Sequence, residues 1–267
     1  MVFYPDITKQ EQTMQHNNFE ILKKYIGKRV QKSNLSFDLE KIIYGNNFLF
    51  KYLKNKKFKN ALYIGLGHGF YAILTILQGY VENITGVDPY DDEQGGEGCE
   101  DSDYEGLKAM TAEYNMDEAL SIKKMSIDDF LKNEKDRYDL IIARDVLHHI
   151  FKNPNLISKT DMHEQAINLF KQLKNLAHEN TLFIVSDVGR YGLLPLLKKW
   201  GIVHDSVRYY NKQPSGEWTS AMKKADWQLI KRYNYVPFKL RNISLLFRGY
   251  LNQYFLANRY FLYFKNK

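Results

Sequence analysis

Cysteine and long apolar runs are both scarce in this sequence. Cys99 is the single cysteine among 267 residues, so no internal disulfide can form, which excludes a disulfide-stapled scaffold and favours a reducing, cytoplasmic setting. No stretch of roughly 18 consecutive apolar residues occurs, so we predict no membrane-spanning helix. Residues 1–20 lack a basic start followed by an apolar run and therefore predict no secretory signal. With 44% hydrophobic and 26% charged residues, the chain has the composition of a globular protein with a sizeable core.

Basic clusters are also missing, although the chain carries a net charge of +7. Eight acidic residues and no basic residue lie between Asp91 and Glu105, so the remainder of the chain is distinctly basic. A basic body is compatible with nucleic acid, an anionic lipid surface or a phosphorylated substrate. The lysines are scattered rather than gathered in one arm, which favours an ordinary Lys-rich surface over these partners. The acidic segment is interpreted as a solvated flap rather than as a cation site.

Short apolar strands alternate with helical patterns through the middle of the chain. The strand candidates are residues 61–64, 81–88, 121–126, 138–143 and 181–187. Helical spacing follows the first two of them and recurs after Ser126 and Asp161. This alternation predicts an α/β fold with a parallel sheet covered on both sides. A helix is also predicted after Asp38, with an interruption at residues 45–47, and two further strands are predicted at 227–236 and 258–265.

A glycine loop is the sharpest feature of the sequence. Gly65, Gly67 and Gly69 follow an apolar strand and precede a helix, where glycines permit a tight turn and let a ligand approach the backbone. The free N–H groups at the start of the following helix favour an anionic group. Asp88 ends the next strand, a position from which a carboxylate can accept hydrogen bonds from both hydroxyls of a ribose. Phe70 stands where a dinucleotide fingerprint has its third glycine, so the spacing argues against a dinucleotide.

At these motifs the sequence resembles the class I S-adenosylmethionine-dependent methyltransferases. IGLGHG at residues 64–69 is similar to their first motif and VDPY at 87–90 to their second, while YDLIIARDVLHHI at 138–150 resembles the fourth-strand region of small-molecule methyltransferases. The similarity extends over about residues 58–190. It implies a Rossmann-like, doubly wound fold with a seven-stranded, mostly parallel sheet, helices on both faces and an N-terminal helical extension. It also implies S-adenosyl-L-methionine as the cofactor.

The resemblance further implies which residues hold the cofactor. The methionine part would lie against the glycine loop, the ribose against the acid of the second motif, and the adenine against the segment after the third strand. The amino group and the methyl would lie beside the end of the fourth strand. The residues so implied are Gly65, Gly67, His68, Gly69, Asp88, Ser126, Ile127, Asp128, Ala143 and Arg144. Two features depart from the family: Tyr63 stands where relatives commonly carry an acidic residue, and residues 178–180 replace the Pro-Gly-Gly turn that usually precedes the fifth strand.

Candidate catalytic residues follow the fourth strand, on the ligand-binding edge of the sheet: Asp145, His148 and His149. Methyl transfer is an in-line displacement for which alignment and desolvation supply much of the rate, and a hydroxyl or ammonium acceptor benefits from a general base. A histidine suits that role because its charge changes near neutral pH, and His149 is the first candidate; a structural role is the alternative for each histidine. Adjacent histidines are expected to point apart, and no H-E-x-x-H or cysteine pair occurs, so no metal site is predicted. His163 is expected in the first turn of a helix, without a catalytic role.

These interpretations divide the chain into an N-terminal helical cap, residues 1–57, and a methyltransferase domain, residues 58–267. A substrate-covering insertion is expected at about 200–225, and it would include Arg208, Tyr209, Tyr210 and Trp218. The expected activity is O- or N-methylation of a small molecule such as a sugar, a lipid-linked intermediate or a secondary metabolite. Methylation of RNA and binding of the cofactor without catalysis are the alternatives. No separate RNA-binding module is evident, which places nucleic acid below a small-molecule partner, and the oligomeric state is left open.

Overall fold

The computed structural model describes most of the predicted domain but little of the predicted cap. The described residues are 23–24, 39–53, 56–91, 101–151, 155–191, 193–202, 209, 212–234 and 259–266. The predictions for Arg208 and Tyr210 lie outside them, as does most of the predicted cap before residue 39. Within these ranges, no helix is both long enough and apolar enough to cross a membrane.

A mixed seven-stranded sheet organises the described residues. Its strands are β1 (Phe58–Ile64), β2 (Val81–Asp88), β3 (Leu120–Lys124), β4 (Tyr138–Arg144), β5 (Ala177–Val188), β6 (Trp227–Asn234) and β7 (Arg259–Asn266). They lie in the order β3-β2-β1-β4-β5-β7-β6, with β1 to β5 parallel and β7 antiparallel to both of its neighbours. The predicted doubly wound, mostly parallel sheet is confirmed. The strand order reverses between β1 and β4, and in such sheets ligands bind outside the carboxyl ends of the strands at this point.

Helices cover both faces of the sheet. One layer holds α1 (Leu39–Phe50), α2 (Phe70–Leu77) and α3 (Asp101–Glu113), and the other holds α4 (Ile127–Asn133), α6 (Met162–Asn175) and α8 (Ser215–Lys224). The short helices α5 (Leu147–Ile150) and α7 (Leu193–Lys199) follow β4 and β5. Leu140 and Ile142 of β4 enter the core under α1 and α2, whereas Ile141 and Ala143 enter the opposite core. Because side chains alternate along a strand, Arg144 faces the layer of α1 and α2.

The helix α1 runs without a break through residues 45–47, so the predicted interruption is wrong. Asn46 is fully buried and donates from Nδ2 to Oε1 of Gln78 over 2.8 Å. Gln78 in turn donates from Nε2 to Oδ1 of Asn47 over 2.8 Å. These bonds to the end of α2 satisfy polar groups that would otherwise favour a turn. The same contacts place α1 in the core on one face of the sheet. The domain boundary at residue 57 stays a prediction.

The turn expected before the fifth strand is a bulge within it. β5 begins at Ala177, which pairs with Tyr138, but the next pair joins Leu182 to Leu140, so the register shifts between them. Asn180 has a φ of 71°, a left-handed conformation that asparagine tolerates better than most residues. A bulge of this kind absorbs extra residues while the strand keeps its neighbours. The departure from the family pattern therefore changes the entry into β5 and leaves its carboxyl end in place.

Candidate active site

The glycine loop lies between β1 and α2 and is shaped by close packing. Gly65 and Gly69 both have a φ of 74°, which side-chain-bearing residues rarely adopt. A Cβ atom on Gly65 would lie 2.4 Å from Cγ2 of Val146, and one on Gly69 would lie 2.5 Å from Cδ1 of Leu107. These positions therefore require glycine for two reasons, backbone conformation and space. The loop is held at the carboxyl edge between β2 and β4, as the sequence predicted for a ligand-binding turn.

Asp88 and the loop form one hydrogen-bonded unit. The backbone N–H of Gly67 donates to Oδ2 of Asp88 over 2.9 Å, and that of Tyr90 donates to Oδ1 over 3.0 Å. The Tyr90 hydroxyl closes the unit by donating to the Gly67 carbonyl over 2.9 Å. Burial raises the pKa of Asp88, although the two N–H groups oppose the rise. Sequence reasoning found Asp88 but missed Tyr90, whose only signal was its place in the VDPY motif.

His68 turns toward α3 rather than along the sheet. Its Nδ1 lies 3.5 Å from Oδ1 of Asp103, and its ring meets the edge of Phe70 with centroids 5.4 Å apart. The ring is mostly buried. Its predicted contact with the cofactor stays a prediction, and the structure adds an acidic partner from the first turn of α3, which lies within the acidic segment.

The three residues predicted beside the adenine have different surroundings. Ser126 caps α4: its hydroxyl accepts from the Asp129 N–H over 3.1 Å and donates to Oδ2 of Asp129 over 2.8 Å. Ile127 is buried in the core, and Asp128 is exposed. A capping Ser126 was also predicted, and its hydroxyl is engaged with α4. Asp128 is thus the solvent-facing polar side chain of the three.

Arg144 ends β4 inside the protein. It is 6% exposed, and its guanidinium carbon lies 3.3 Å from the ring centroid of Tyr71. A Cβ atom on Gly45 of α1 would lie 3.0 Å from its Nη2, so a glycine in the middle of a helix leaves room for the guanidinium. Its Nε and Nη1 atoms are buried, with no hydrogen-bond partner among the described residues. Tyr63, which replaces the family's acidic residue, is buried nearby, and burial raises the pKa of its phenol.

Asp145 is held by arginines. Arg259 of β7 donates from Nη1 to Oδ2 of Asp145, and Nε of Arg144 lies 3.8 Å from the same oxygen. Burial raises the pKa of Asp145, but the charges of Arg259 and Arg144 outweigh it, so the pKa lies below the ordinary value. A carboxylate held ionised in this way is a weak proton acceptor. Its position after β4, with a φ of 54°, joins Arg259 of β7 to the end of β4, and its catalytic role stays a prediction.

The two histidines lie together in α5, so the expectation that they point apart is wrong. Their ring centroids are 4.3 Å apart, and the ring planes are inclined at 40° to each other. Both residues lie within the single turn of α5. His148 is buried, with Nδ1 2.7 Å from Oδ1 of Asp187, and His149 is half-buried. Asp187 was missed by sequence reasoning, although an acid near the end of a parallel strand is the signal that identified Asp88. His163 lies in the first turn of α6, as predicted, 3.0 Å from Nζ of Lys224.

Trp218, predicted in the substrate cover, lies in the core instead. It is fully buried on α8, with its ring centroid 5.8 Å from that of Phe151. The apolar face of an amphipathic helix explains this burial, since α8 packs on the sheet. Tyr209 is also buried, with Nζ of Lys198 5.7 Å from its ring centroid. In the part of the chain that the structure describes, no three His, Cys, Asp or Glu side chains cluster as a metal site would require.

Comparison with known proteins agrees with this geometry. The profile of a family described as a methyltransferase domain matches residues 39–232. The chain belongs to this methyltransferase family. No curated protein sequence matches the chain. The methyltransferase uses S-adenosyl-L-methionine as its cofactor.

Solved structures share the fold of the methyltransferase at low sequence identity. A cyclopropane synthase from Mycobacterium tuberculosis is 11% identical, with a TM-score of 0.55 over 84% of each chain. A geranyl diphosphate C-methyltransferase from Streptomyces coelicolor A3(2), in complex with S-adenosyl-L-homocysteine, is 12% identical, with a TM-score of 0.54 over 84% of this chain and 76% of that one. Magnesium protoporphyrin IX methyltransferase from Synechocystis PCC 6803 is 13% identical, with a TM-score of 0.52 over 94% of this chain and 100% of that one.

Proposed function

We propose that the methyltransferase transfers a methyl group from S-adenosylmethionine to a small molecule. The observation that supports this most is the unit of Gly67, Asp88 and Tyr90 at the carboxyl edge. Asp88 retains lone pairs for the hydroxyls of a ribose after accepting its two N–H groups, because each carboxylate oxygen can accept twice. The cofactor supplies an activated methyl on a sulfonium centre when it is bound.

The acceptor would lie beyond the cofactor, over β4, β5 and β7. The Asp88 end of the site lies on β2, and β4 flanks the glycine loop on the other side, since Ala143 pairs with Ile64. The solved structures with this fold include enzymes named for geranyl diphosphate and for magnesium protoporphyrin IX, which are both small molecules. O- or N-methylation of a sugar, a lipid-linked intermediate or a secondary metabolite remains within this proposal.

His148 is the proton acceptor that we propose for an acceptor hydroxyl or ammonium. The Asp187 carboxylate can only accept a hydrogen bond, so it keeps the proton of the imidazole on Nδ1 and leaves Nε2 as the basic atom. His149, the other candidate, contacts the same ring. Asp145, with its lowered pKa, is proposed to position Arg259 rather than to take a proton.

Transfer of labelled methyl groups tests the proposal directly. The protein is incubated with S-adenosylmethionine labelled in the methyl group and with pools of small metabolites or with total RNA, at low and at physiological salt. We expect label in the small-molecule pools and only salt-sensitive association with RNA, because phosphate contacts made by scattered lysines weaken steeply with salt. Label in RNA at physiological salt would instead favour an RNA methyltransferase. Tighter calorimetric binding of NAD than of S-adenosylmethionine would contradict the cofactor site.

A further inference from the structure

The end of β4 carries a buried guanidinium whose N–H groups are not all paired among the described residues. Arg144 and Arg259 both lie within ion-pair distance of the Asp145 carboxylate, and the Asp187 carboxylate adds a second negative charge near Arg259. The Asp145 oxygen that lies near both arginines is already bonded to Arg259, and its 3.8 Å separation from Nε of Arg144 is too long for a hydrogen bond. In the part of the chain that the structure describes, two buried nitrogens of the Arg144 guanidinium, Nε and Nη1, have no hydrogen-bond acceptor.

Buried donors without acceptors are rare in folded proteins, and buried charges are normally paired. The stacking of Arg144 on Tyr71 covers the face of the guanidinium but satisfies none of its N–H groups. Asp187 does not bond to Arg144: its Oδ1 is engaged by His148 and by the N–H of Val188, and its Oδ2 has no hydrogen-bond partner among the described residues. The Asp187 side chain also faces the opposite layer of helices. Its neighbour on β5, Ser186, faces the layer of Arg144.

A hydroxyl donor lies on the same face of the sheet as Arg144. Ser186 pairs with Arg144 in neighbouring strands, so their side chains leave the same face of the sheet from backbones about 4.8 Å apart. Ser186 is 1% exposed, and its Oγ has no hydrogen-bond partner within the described ranges. A guanidinium and a hydroxyl on one face of the sheet, each with buried donor atoms that are unpaired among the described residues, can serve as donors to an oxyanion.

We propose that Arg144 and Ser186 bind an anionic group, a carboxylate or a phosphate, of the methyl acceptor. This inference rests on the proposed function and narrows its substrate class to small acids. We assign the subsite to the acceptor, and not to the cofactor as the resemblance implied for Arg144, because its members lie on β4 and β5, with Arg259 on β7, away from Asp88 on β2. Binding would give the buried N–H groups of the guanidinium their acceptors and fix the methyl acceptor at β4, beside the glycine loop. The methionine carboxylate of the cofactor is the other possible source of such an anion, and the test separates the two.

The first measurement assigns the anion to the acceptor or to the cofactor. Calorimetry compares S-adenosylhomocysteine with 5′-methylthioadenosine, which lacks the amino-acid part, on the wild type and on Arg144→Met. The control is Arg137→Met, an exposed arginine just before the amino end of the same strand. We expect Arg144→Met to leave the affinity for S-adenosylhomocysteine within about threefold. A loss of about tenfold or more that is confined to S-adenosylhomocysteine, the scale of a charge-assisted hydrogen bond, would assign the subsite to the cofactor and overturn the proposal.

The second measurement detects the anion itself. With S-adenosylhomocysteine bound, thermal unfolding is followed in acetate, benzoate or phosphate, with chloride at equal ionic strength as the reference. We expect at least one oxyanion to raise Tm by about 2–4 °C in the wild type and in Arg137→Met, and not in Arg144→Met. Ser186→Ala, which only removes an oxygen, should reduce the shift and gives the answer if Arg144→Met does not fold. Equal shifts in wild type and both variants, or no shift with any oxyanion, would overturn the proposal. Failure of S-adenosylhomocysteine to bind the wild type would instead refute the proposed function.

Discussion

Nδ1 of His148 lies 2.7 Å from Oδ1 of Asp187, and both side chains are buried beneath the carboxyl edge of the sheet. The same carboxylate oxygen accepts the N–H of Val188 over 2.7 Å, which fixes it against the backbone of its own strand. The carboxylate orients the imidazole, and the strand orients the carboxylate. The pair therefore has the arrangement in which a buried acid holds a histidine in one tautomer.

Removing either member of this pair should slow methyl transfer. We expect His148→Ala to lower kcat by about 10²–10⁴-fold, the usual contribution of a general base, with the cofactor Kd unchanged. Asp187→Asn should also lower kcat, but it should add little in the His148→Ala background, since it acts through that ring. His178→Ala, an exposed histidine at the far end of β5, is the control. The role of proton acceptor would not belong to His148 if the effects of His148→Ala and Asp187→Asn on kcat were independent and additive. A larger loss of kcat in His149→Ala than in His148→Ala would have the same meaning.

Cofactor affinity should depend on the ionisation of Asp88. A protonated carboxyl loses the negative charge that attracts the ribose hydroxyls, and burial raises the pKa of this group. Affinity should therefore be highest near neutral pH and decline as the pH falls. The decline should occur at a higher pH than it would for an aspartate with the ordinary pKa of 3.8. Asp88→Asn should bind roughly 1–3 kcal/mol more weakly at pH 7 and lose this dependence. Calorimetric titration with S-adenosylhomocysteine across the pH range measures both, and a wild-type profile identical to that of Asp88→Asn would refute the assignment.

The loop glycines offer a matched stability test. Gly65 and Gly79 have similar backbone angles, with φ of 74° and 68°, but only Gly65 has atoms in the way of a Cβ, whereas Gly79 has none within 4 Å. We expect Gly79→Ala to cost about 1–2 kcal/mol through the left-handed conformation alone. Gly65→Ala should cost a further 1–3 kcal/mol or so because Val146 must move. Denaturant unfolding of both variants gives the difference, and equal losses would show that the close approach to Val146 is unimportant.

The ion pair of Asp145 should appear in the acid limb of the stability curve. Its pKa is lowered because the charges of Arg259 and Arg144 outweigh the effect of burial. A lowered pKa contributes stability above the ordinary value of 3.8, and this stability is lost as the pH falls through the folded-state pKa. Asp145→Asn should therefore be less stable near pH 7 by roughly 1–3 kcal/mol, and the difference should shrink in acid. Unfolding at a series of pH values, with the exposed Asp117→Asn as control, measures it; a difference that is constant with pH would contradict the ion-pair account.

Local sequence predicted the parts of the site whose geometry is local. The glycine loop and Asp88 are joined by a strand, a helix and a second strand, and the spacing of these elements is visible in the sequence. The Asp88 end of the site could therefore be placed before the structure, together with the parallel strands that carry it. Ser126 was likewise recognised as a cap because its partner, Asp129, is three residues away.

Long-range partners could not be predicted in the same way. Asp187 lies 39 residues from His148, and Arg259 lies 114 residues from Asp145, so neither pair leaves a spacing signal. The continuity of α1 depends on Gln78, 32 residues beyond Asn46, which overrides the turn preference of a Gly-Asn-Asn segment. Trp218 was assigned to a surface for the same reason, because its burial depends on how α8 packs on the sheet.

The place of β7 in the sheet sets an order of assembly. β7 follows β6 along the chain but lies between β5 and β6, so β6 has no sheet neighbour until residues 259–266 have emerged from the ribosome. The Tyr263 hydroxyl of β7 also donates to the Leu49 carbonyl of α1 over 2.7 Å, which joins segments 214 residues apart. Such non-local pairings make folding slow, because the chain must be closed over long loops before they form. During translation, the edge of β5 that carries Ser186 and Asp187 therefore stays open after every parallel strand has been made, and the nascent chain exposes it to chaperones and to unwanted strand pairing throughout that interval.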